Sequence, residues 1–131
     1  MIPNFLRQAV RGGTIVVHGD GSQTRDYVFV DDVVRAMVAA ATAPSIDGSI
    51  INVGSGTETS VRALTRLAQE LAGNSAEVVY NPRSEAGVSR MCADLTLAGE
   101  KLGFAPRVTL SEGLRLTIQR DARFQKKETN S

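Results

Sequence analysis

The sequence predicts an α/β fold, and three observations carry that prediction. Segments with apolar residues at helical spacing alternate with short β-branched or wholly apolar runs. Residues 49–53, Ser-Ile-Ile-Asn-Val, are apolar almost throughout, the pattern of a parallel strand covered on both faces. No internal repeat, low-complexity block or linker interrupts the order, so the chain reads as one unit.

Each element follows from local chemistry. Residues 1–10 form a helix with Pro3 in its first turn, an apolar face of Phe5, Leu6, Ala9 and Val10, and Gly12-Gly13 as its stop. Residues 14–18 make a β-branched strand that ends at Gly19-Asp20-Gly21-Ser22, and residues 26–30 make a second extended run. Asp31 or Asp32 is expected to cap a helix with the face Val33, Val34, Met37, Val38 and Ala41, ending near Pro44. The strand 49–53 stops at Gly54-Ser55-Gly56. Thr59 or Ser60 then opens a helix carrying Val61, Leu64, Leu67, Ala68 and Leu71 on one side, with Arg62, Arg66 and Glu70 opposite and Gly73-Asn74 at its end. Residues 77–80 read as a strand, and Asn81-Pro82-Arg83 begins an irregular stretch to about residue 93. Asp94 caps a brief helix ending at Gly103. Thr109 and Glu112 have capping-box spacing for a last helix lined by Leu110, Leu114 and Ile118 and reaching about residue 124. Residues 1–124 are thus the folded region, and the polar residues 125–131 are expected to be a disordered tail.

Composition excludes several function classes. Fifteen Lys and Arg stand against fourteen Asp and Glu, for a net charge of +1, so no general field draws the chain to nucleic acid or an anionic membrane. One Cys and one His allow neither a disulfide framework nor a Cys/His zinc site, and they fit a reducing, cytoplasmic setting. No run approaches the roughly 20 apolar residues of a membrane span. At most four strands can be read here, too few to give a buried parallel strand its neighbours, so the simplest account is the C-terminal part of a larger fold.

Three blocks carry a resemblance: Ile2-Pro3-Asn4-Phe5, the run from His18-Gly19-Asp20-Gly21 through Arg25-Asp26-Tyr27 to Asp31-Asp32, and Ile51-Asn52-Val53-Gly54-Ser55-Gly56. With Ala93-Asp94-Leu95-Thr96, Leu102-Gly103-Phe104 and Leu110-Ser111-Glu112-Gly113-Leu114, they make the chain similar to the NAD-dependent epimerase/dehydratase family. These are extended short-chain dehydrogenase/reductases acting on nucleotide sugars, and the likeness runs from Met1 to about Phe124. It implies a substrate-binding lobe plus the last strand, 49–53, of a Rossmann-type sheet: an incomplete fold. The implied partners are a nucleotide sugar, a UDP-sugar by preference, and an N-terminal NAD-binding domain.

The family's reactive parts are missing. No glycines fall in G-x-x-G-x-x-G or G-x-G-x-x-G, because Thr24 and Thr59 stand where a third glycine is required. The family's Tyr-x-x-x-Lys pair is also absent, since Asp31 follows Tyr27 and Ser84 follows Tyr80 at that spacing. No catalytic, cofactor-binding or metal-ligating residue is therefore assigned, and NAD is expected in the complete protein alone.

The resemblance assigns substrate contacts instead. Arg25 corresponds to the family's diphosphate-binding Arg, against the alternative of an ion pair with Asp26 or Asp31. His18 stands where relatives carry Tyr or Phe against the nucleobase, and its imidazole can stack, with exposure beside the turn as the alternative. Arg83 matches a family Arg that grips ribose or phosphate, and Glu85 is a displaced candidate for the acidic residue that follows it. Pro3 and Phe5 would lie along the nucleotide, or simply pack the helix start. Asp31 and Asp32 read as structural, Cys92 as a small core side chain, and the helix-face Arg and Lys as solvated surface. The expected function is nucleotide-sugar recognition within an NAD-dependent epimerase, dehydratase or decarboxylase. The alternatives are a noncatalytic nucleotide-sugar-binding module and the C-terminal half of a split enzyme.

Overall fold

The protein's computed structural model describes residues 1–73, 76–83 and 87–124. The elements run α1 (Ile2–Arg11), β1 (Thr14–His18), β2 (Thr24–Asp26), α2 (Val30–Thr42), β3 (Glu58–Ser60), α3 (Val61–Ala72), β4 (Glu77–Asn81), α4 (Thr96–Leu102) and α5 (Leu110–Arg120). Strands β1 and β4 pair in parallel, with Thr14 opposite Glu77 and His18 opposite Asn81. Strands β2 and β3 pair antiparallel, with Thr24 opposite Ser60 and Asp26 opposite Glu58.

The main core forms where α1, α3 and α5 meet one face of β1. Ile15 and Val17 of β1 are buried with Leu6 and Ala9 of α1, Val61, Leu64 and Ala68 of α3, and Leu114 of α5. Alternation along β1 leaves Thr14, Val16 and His18 on the opposite, open face. Helix α3 is set by its ends: the Ser60 hydroxyl accepts the Ala63 N–H at 3.1 Å, and Gly73 takes the left-handed conformation that stops it. The predicted Thr109 cap of α5 is also present, its hydroxyl accepting the Glu112 N–H at 3.3 Å. Helix α5 ends at Arg120 rather than near residue 124, although Phe124 still packs into the core.

Helix α2 departs from expectation in two ways. Its N-cap is Phe29, and neither acidic residue caps it. Asp31 pairs with Arg120 at 2.9 Å, while Asp32, 1% exposed, pairs with Arg35 and accepts the Arg107 and Val108 N–H groups at 3.0 and 3.1 Å. A buried carboxylate must find donors, and besides Arg35 one turn on, two of them lie 75 and 76 positions away. That anchorage turns Asp32 and Ala36 inward, where Ala36 meets Ala98 and Phe104 in a second small core. The predicted apolar face therefore points out: Val34, Met37 and Val38 are exposed.

Residues 49–53 form no ladder with any described strand. Ile51 and Val53 pack onto the small core, whereas Ile50 is 90% exposed. The extended run read at 26–30 is shifted to Thr24–Asp26, because α2 begins at Val30. Among the described residues, no helix is long and apolar enough to cross a membrane. The tail 125–131 lies outside the described residues.

Candidate ligand-binding site

A cavity of about 620 Å³ opens between α1 and the uncovered face of β1. Helical spacing brings Asn4, Arg7 and Gln8 to one wall together with Met1 and Phe5, and strand alternation supplies Thr14, Val16 and His18. Gln23, Arg25, Val61 and Gly87 complete the lining. Because β1 and β4 are parallel, His18 and its partner Asn81 sit together at their carboxyl ends, where open α/β sheets place ligands. Among the described residues, no carboxylate lines the cavity, while two guanidinium groups do.

Arg25 is held by its own neighbourhood. Its Nη1 donates to the carbonyls of Thr24 and Val88, each at 2.6 Å. Neither ion pair considered for it forms, since Asp31 is taken by Arg120 and Asp26 by backbone donors. A guanidinium has five N–H donors, so Nε and Nη2 keep the adjacent pair that suits two oxygens of one phosphate.

Asp26 fixes the strand that carries Arg25. Its carboxylate accepts the Ser55 N–H at 2.7 Å and hydroxyl at 2.6 Å, the Gly56 N–H at 2.9 Å and the Ala93 N–H at 3.1 Å. Burial alone would raise its pKa, yet these hydrogen bonds hold it below the ordinary value. The segment around Gly87 is attached to the same strand, the Thr24 N–H donating to the Ser89 carbonyl at 2.9 Å.

Gln23 links β1 to α3. Its Nε2 donates to the His18 carbonyl at 2.9 Å, and its own carbonyl accepts the Val61 N–H at 3.0 Å. Its Oε1 is buried and has no hydrogen-bond partner among the described residues. An unmet buried acceptor costs about 1–3 kcal/mol, which favours a hydroxyl or N–H donor arriving there.

Of the residues singled out in the sequence, Phe5, His18 and Arg25 line this cavity. Phe5 is buried in the core as well, and His18 is exposed. Pro3 is exposed in the first turn of α1 and lies outside the lining. Arg83 is exposed in the turn after β4, its N–H donating to Asn81 Oδ1 at 3.3 Å, and is also outside it. Glu85 lies outside the described residues. Cys92 is exposed rather than in the core, because the segment carrying it runs along the surface beside Asp26. Arg7 falls among the helix-face cations expected to be solvated surface, and the sequence assigns no site role to Asn4, Gln8 or Gln23. Helical spacing from Phe5 could have flagged Asn4 and Gln8, but not what they face.

The residues present do not fit a dinucleotide cradle. At Gly21 a Cβ would meet Tyr80 Cε1 at 2.9 Å, and at Gly54 it would meet Asp26 Oδ2 at 2.6 Å and the Ala93 Cβ at 2.7 Å. These turns are filled by the chain's own atoms, whereas a pyrophosphate needs open backbone. Tyr27 is half-buried, and burial pushes its phenol above the ordinary value, with the Arg25 charge opposing, the wrong direction for a proton-abstracting Tyr. Among the described residues, no group of three or more His, Cys, Asp or Glu could hold a metal ion.

Residues 1–54 match the NAD dependent epimerase/dehydratase family. The UDP-glucose 4-epimerase of Mycolicibacterium smegmatis is 42% identical over 88% of this chain and 36% of its own length. The UDP-N-acetyl-alpha-D-glucosaminuronate decarboxylase of Bacillus cytotoxicus is 34% identical over 91% of the chain and 39% of its own length. The solved UDP-glucose 4-epimerase of Thermotoga maritima, which holds UDP-glucose, superposes with a TM-score of 0.83 at 41% identity, over 90% of this chain and 38% of that one. The chain spans little more than a third of each relative.

Proposed function

Starting from a chain that belongs to the NAD-dependent epimerase/dehydratase family and spans a part of that fold, we propose that it is a nucleotide-sugar recognition segment. The observation that carries the reading is the convergence of Phe5, His18 and Arg25 from α1, β1 and β2 on one cavity that carries no carboxylate among the described residues. A cavity of about 620 Å³ lies in the range of roughly 300–1,000 Å³ usual for small-ligand sites. The Nε–Nη2 edge of Arg25 binds a phosphate of the nucleotide diphosphate, His18 stacks on the base, and Phe5 walls the nucleotide. UDP is the favoured nucleotide, because the relatives above act on UDP-sugars.

Chemistry at the sugar belongs to a partner domain. NAD, when bound there, supplies oxidation of a sugar carbon and return of the hydride. This chain's residues hold the nucleotide end, and that remote binding energy positions the sugar. The face for the partner is the outward side of α2, where Val30, Val34, Met37 and Val38 are exposed, together with the unpaired residues 49–53. An exposed apolar helix side and a segment without ladder partners among the described residues suit cover by a further domain. This favours an NAD-binding domain as the occupant over a self-sufficient module.

Thermal-shift fluorimetry of the chain with UDP, UDP-glucose and NAD tests the reading. UDP and UDP-glucose should raise the melting temperature and NAD should not. A shift with NAD and none with UDP would overturn it.

A further inference from the structure

We propose that Arg7 is a second anion-binding residue of the cavity, which selects a ligand carrying two linked anionic groups, a diphosphate rather than a monophosphate. The inference rests on the nucleotide-binding reading and extends it to a residue and a charge requirement. Arg7 stands on α1 and Arg25 on β2, yet both line the same cavity. Arg7 Nη2 donates to Asn4 Oδ1 at 2.8 Å, which steadies the guanidinium through a neutral partner, and among the described residues no carboxylate pairs with it. Among the described residues, four of its five N–H donors remain without an acceptor. The ion pairs among the described residues engage Arg35, Arg90, Arg115, Arg120 and Arg123, but neither Arg7 nor Arg25. Two like charges converging on one concave surface repel each other until an anion lies between them. A single phosphate satisfies the free edge of Arg25, and a second phosphate in the same ligand gives Arg7 its counter-charge.

Calorimetric titration of the full chain with UDP, UMP, uridine and inorganic pyrophosphate tests this, using Arg7→Gln, Arg7→Lys and Arg25→Ala. Arg7 is exposed, so its replacement leaves the core untouched. Arg7→Gln should weaken UDP and pyrophosphate about ten- to a hundredfold and leave uridine unchanged, with Arg7→Lys recovering part of the loss. UMP should change less than UDP. If Arg7→Gln binds UDP like the wild type while Arg25→Ala does not, the Arg7 assignment falls and nucleotide binding stands. If pyrophosphate binds in an Arg7-dependent way and UDP binds no tighter, the two-cation site stands and nucleotide recognition falls. If the wild type binds neither UDP nor pyrophosphate, both fall.

Discussion

Asp26 and Ala93 are 67 positions apart in sequence, and the carboxylate of the first accepts the backbone N–H of the second at 3.1 Å. The same carboxylate holds Ser55 and Gly56, so one side chain ties β2, the 54–56 turn and the end of the 87–93 segment together. Arg25, one residue earlier, is aimed by that junction, and its Nη1 reaches back to the Val88 carbonyl.

Replacing Asp26 should therefore cost both stability and ligand affinity. Asp26→Ala leaves three backbone N–H groups without their acceptor, and is expected to destabilise the fold by about 2–4 kcal/mol. Urea unfolding measures this. A midpoint equal to that of the wild type would show that the junction contributes nothing.

Stability should fall in acid, with Asp26 and Asp32, the two depressed carboxyls whose hydrogen bonds tie distant segments together, contributing to the loss. Asp26 and Asp32 both have folded-state pKa values below the ordinary 3.8. Burial by itself would raise each one, but donors from Ser55, Gly56 and Ala93 in the first case, and from Arg35, Val108 and Arg107 in the second, outweigh it. A depressed carboxyl stabilises the fold above its unfolded pKa, and that contribution disappears as pH falls through the folded value. Unfolding free energy should thus be level above about pH 5 and decline below about pH 4. The decline should be shallower in Asp32→Asn, and an identical acid limb in that variant would count against the assignment.

Gly54 has no room for a side chain. A Cβ there would lie 2.6 Å from Asp26 Oδ2 and 2.7 Å from the Ala93 Cβ, so Gly54→Ala must push the junction apart. An overpacking loss of about 1–3 kcal/mol is expected, along with weakened UDP binding. Gly12→Ala would meet no atom within 4 Å, so its cost comes from its left-handed backbone alone, and its UDP affinity should match the wild type.

The outward side of α2 separates folding from partnership. Met37 is 67% exposed, so Met37→Asp should change stability by no more than about 0.5 kcal/mol. It should nevertheless reduce association with an added NAD-binding domain from a family relative, measured by light scattering. Unchanged association would move the partner face elsewhere.

Much of this fold was legible because its signals are local. Pro3 and Gly12 bracket α1, Ser60 and Gly73 bracket α3, and Thr109 starts α5, each through chemistry within four residues. What escaped depends on distant partners. Strand β3 is three polar or half-buried residues with no hydrophobic period, and it exists because β2 lies beside it. Asp32 looked like a cap, since nothing in its neighbourhood announces the Arg107 and Val108 N–H groups. The face of α2 was misjudged for the same reason. In the site, Arg25 and His18 stand out through the company of their neighbouring residues, whereas Arg7 resembles any solvated helix cation until the fold brings it to the cavity lined by Thr14, Val16 and His18.

Titration of UDP into the wild-type chain and into Arg25→Ala, with circular dichroism to verify that both are folded, tests the central claim most directly. The account predicts saturable UDP binding by the wild type and at least about a tenfold loss in the variant, the effect of removing a charge-assisted hydrogen-bond pair. Equal UDP affinity in two equally folded proteins would contradict it.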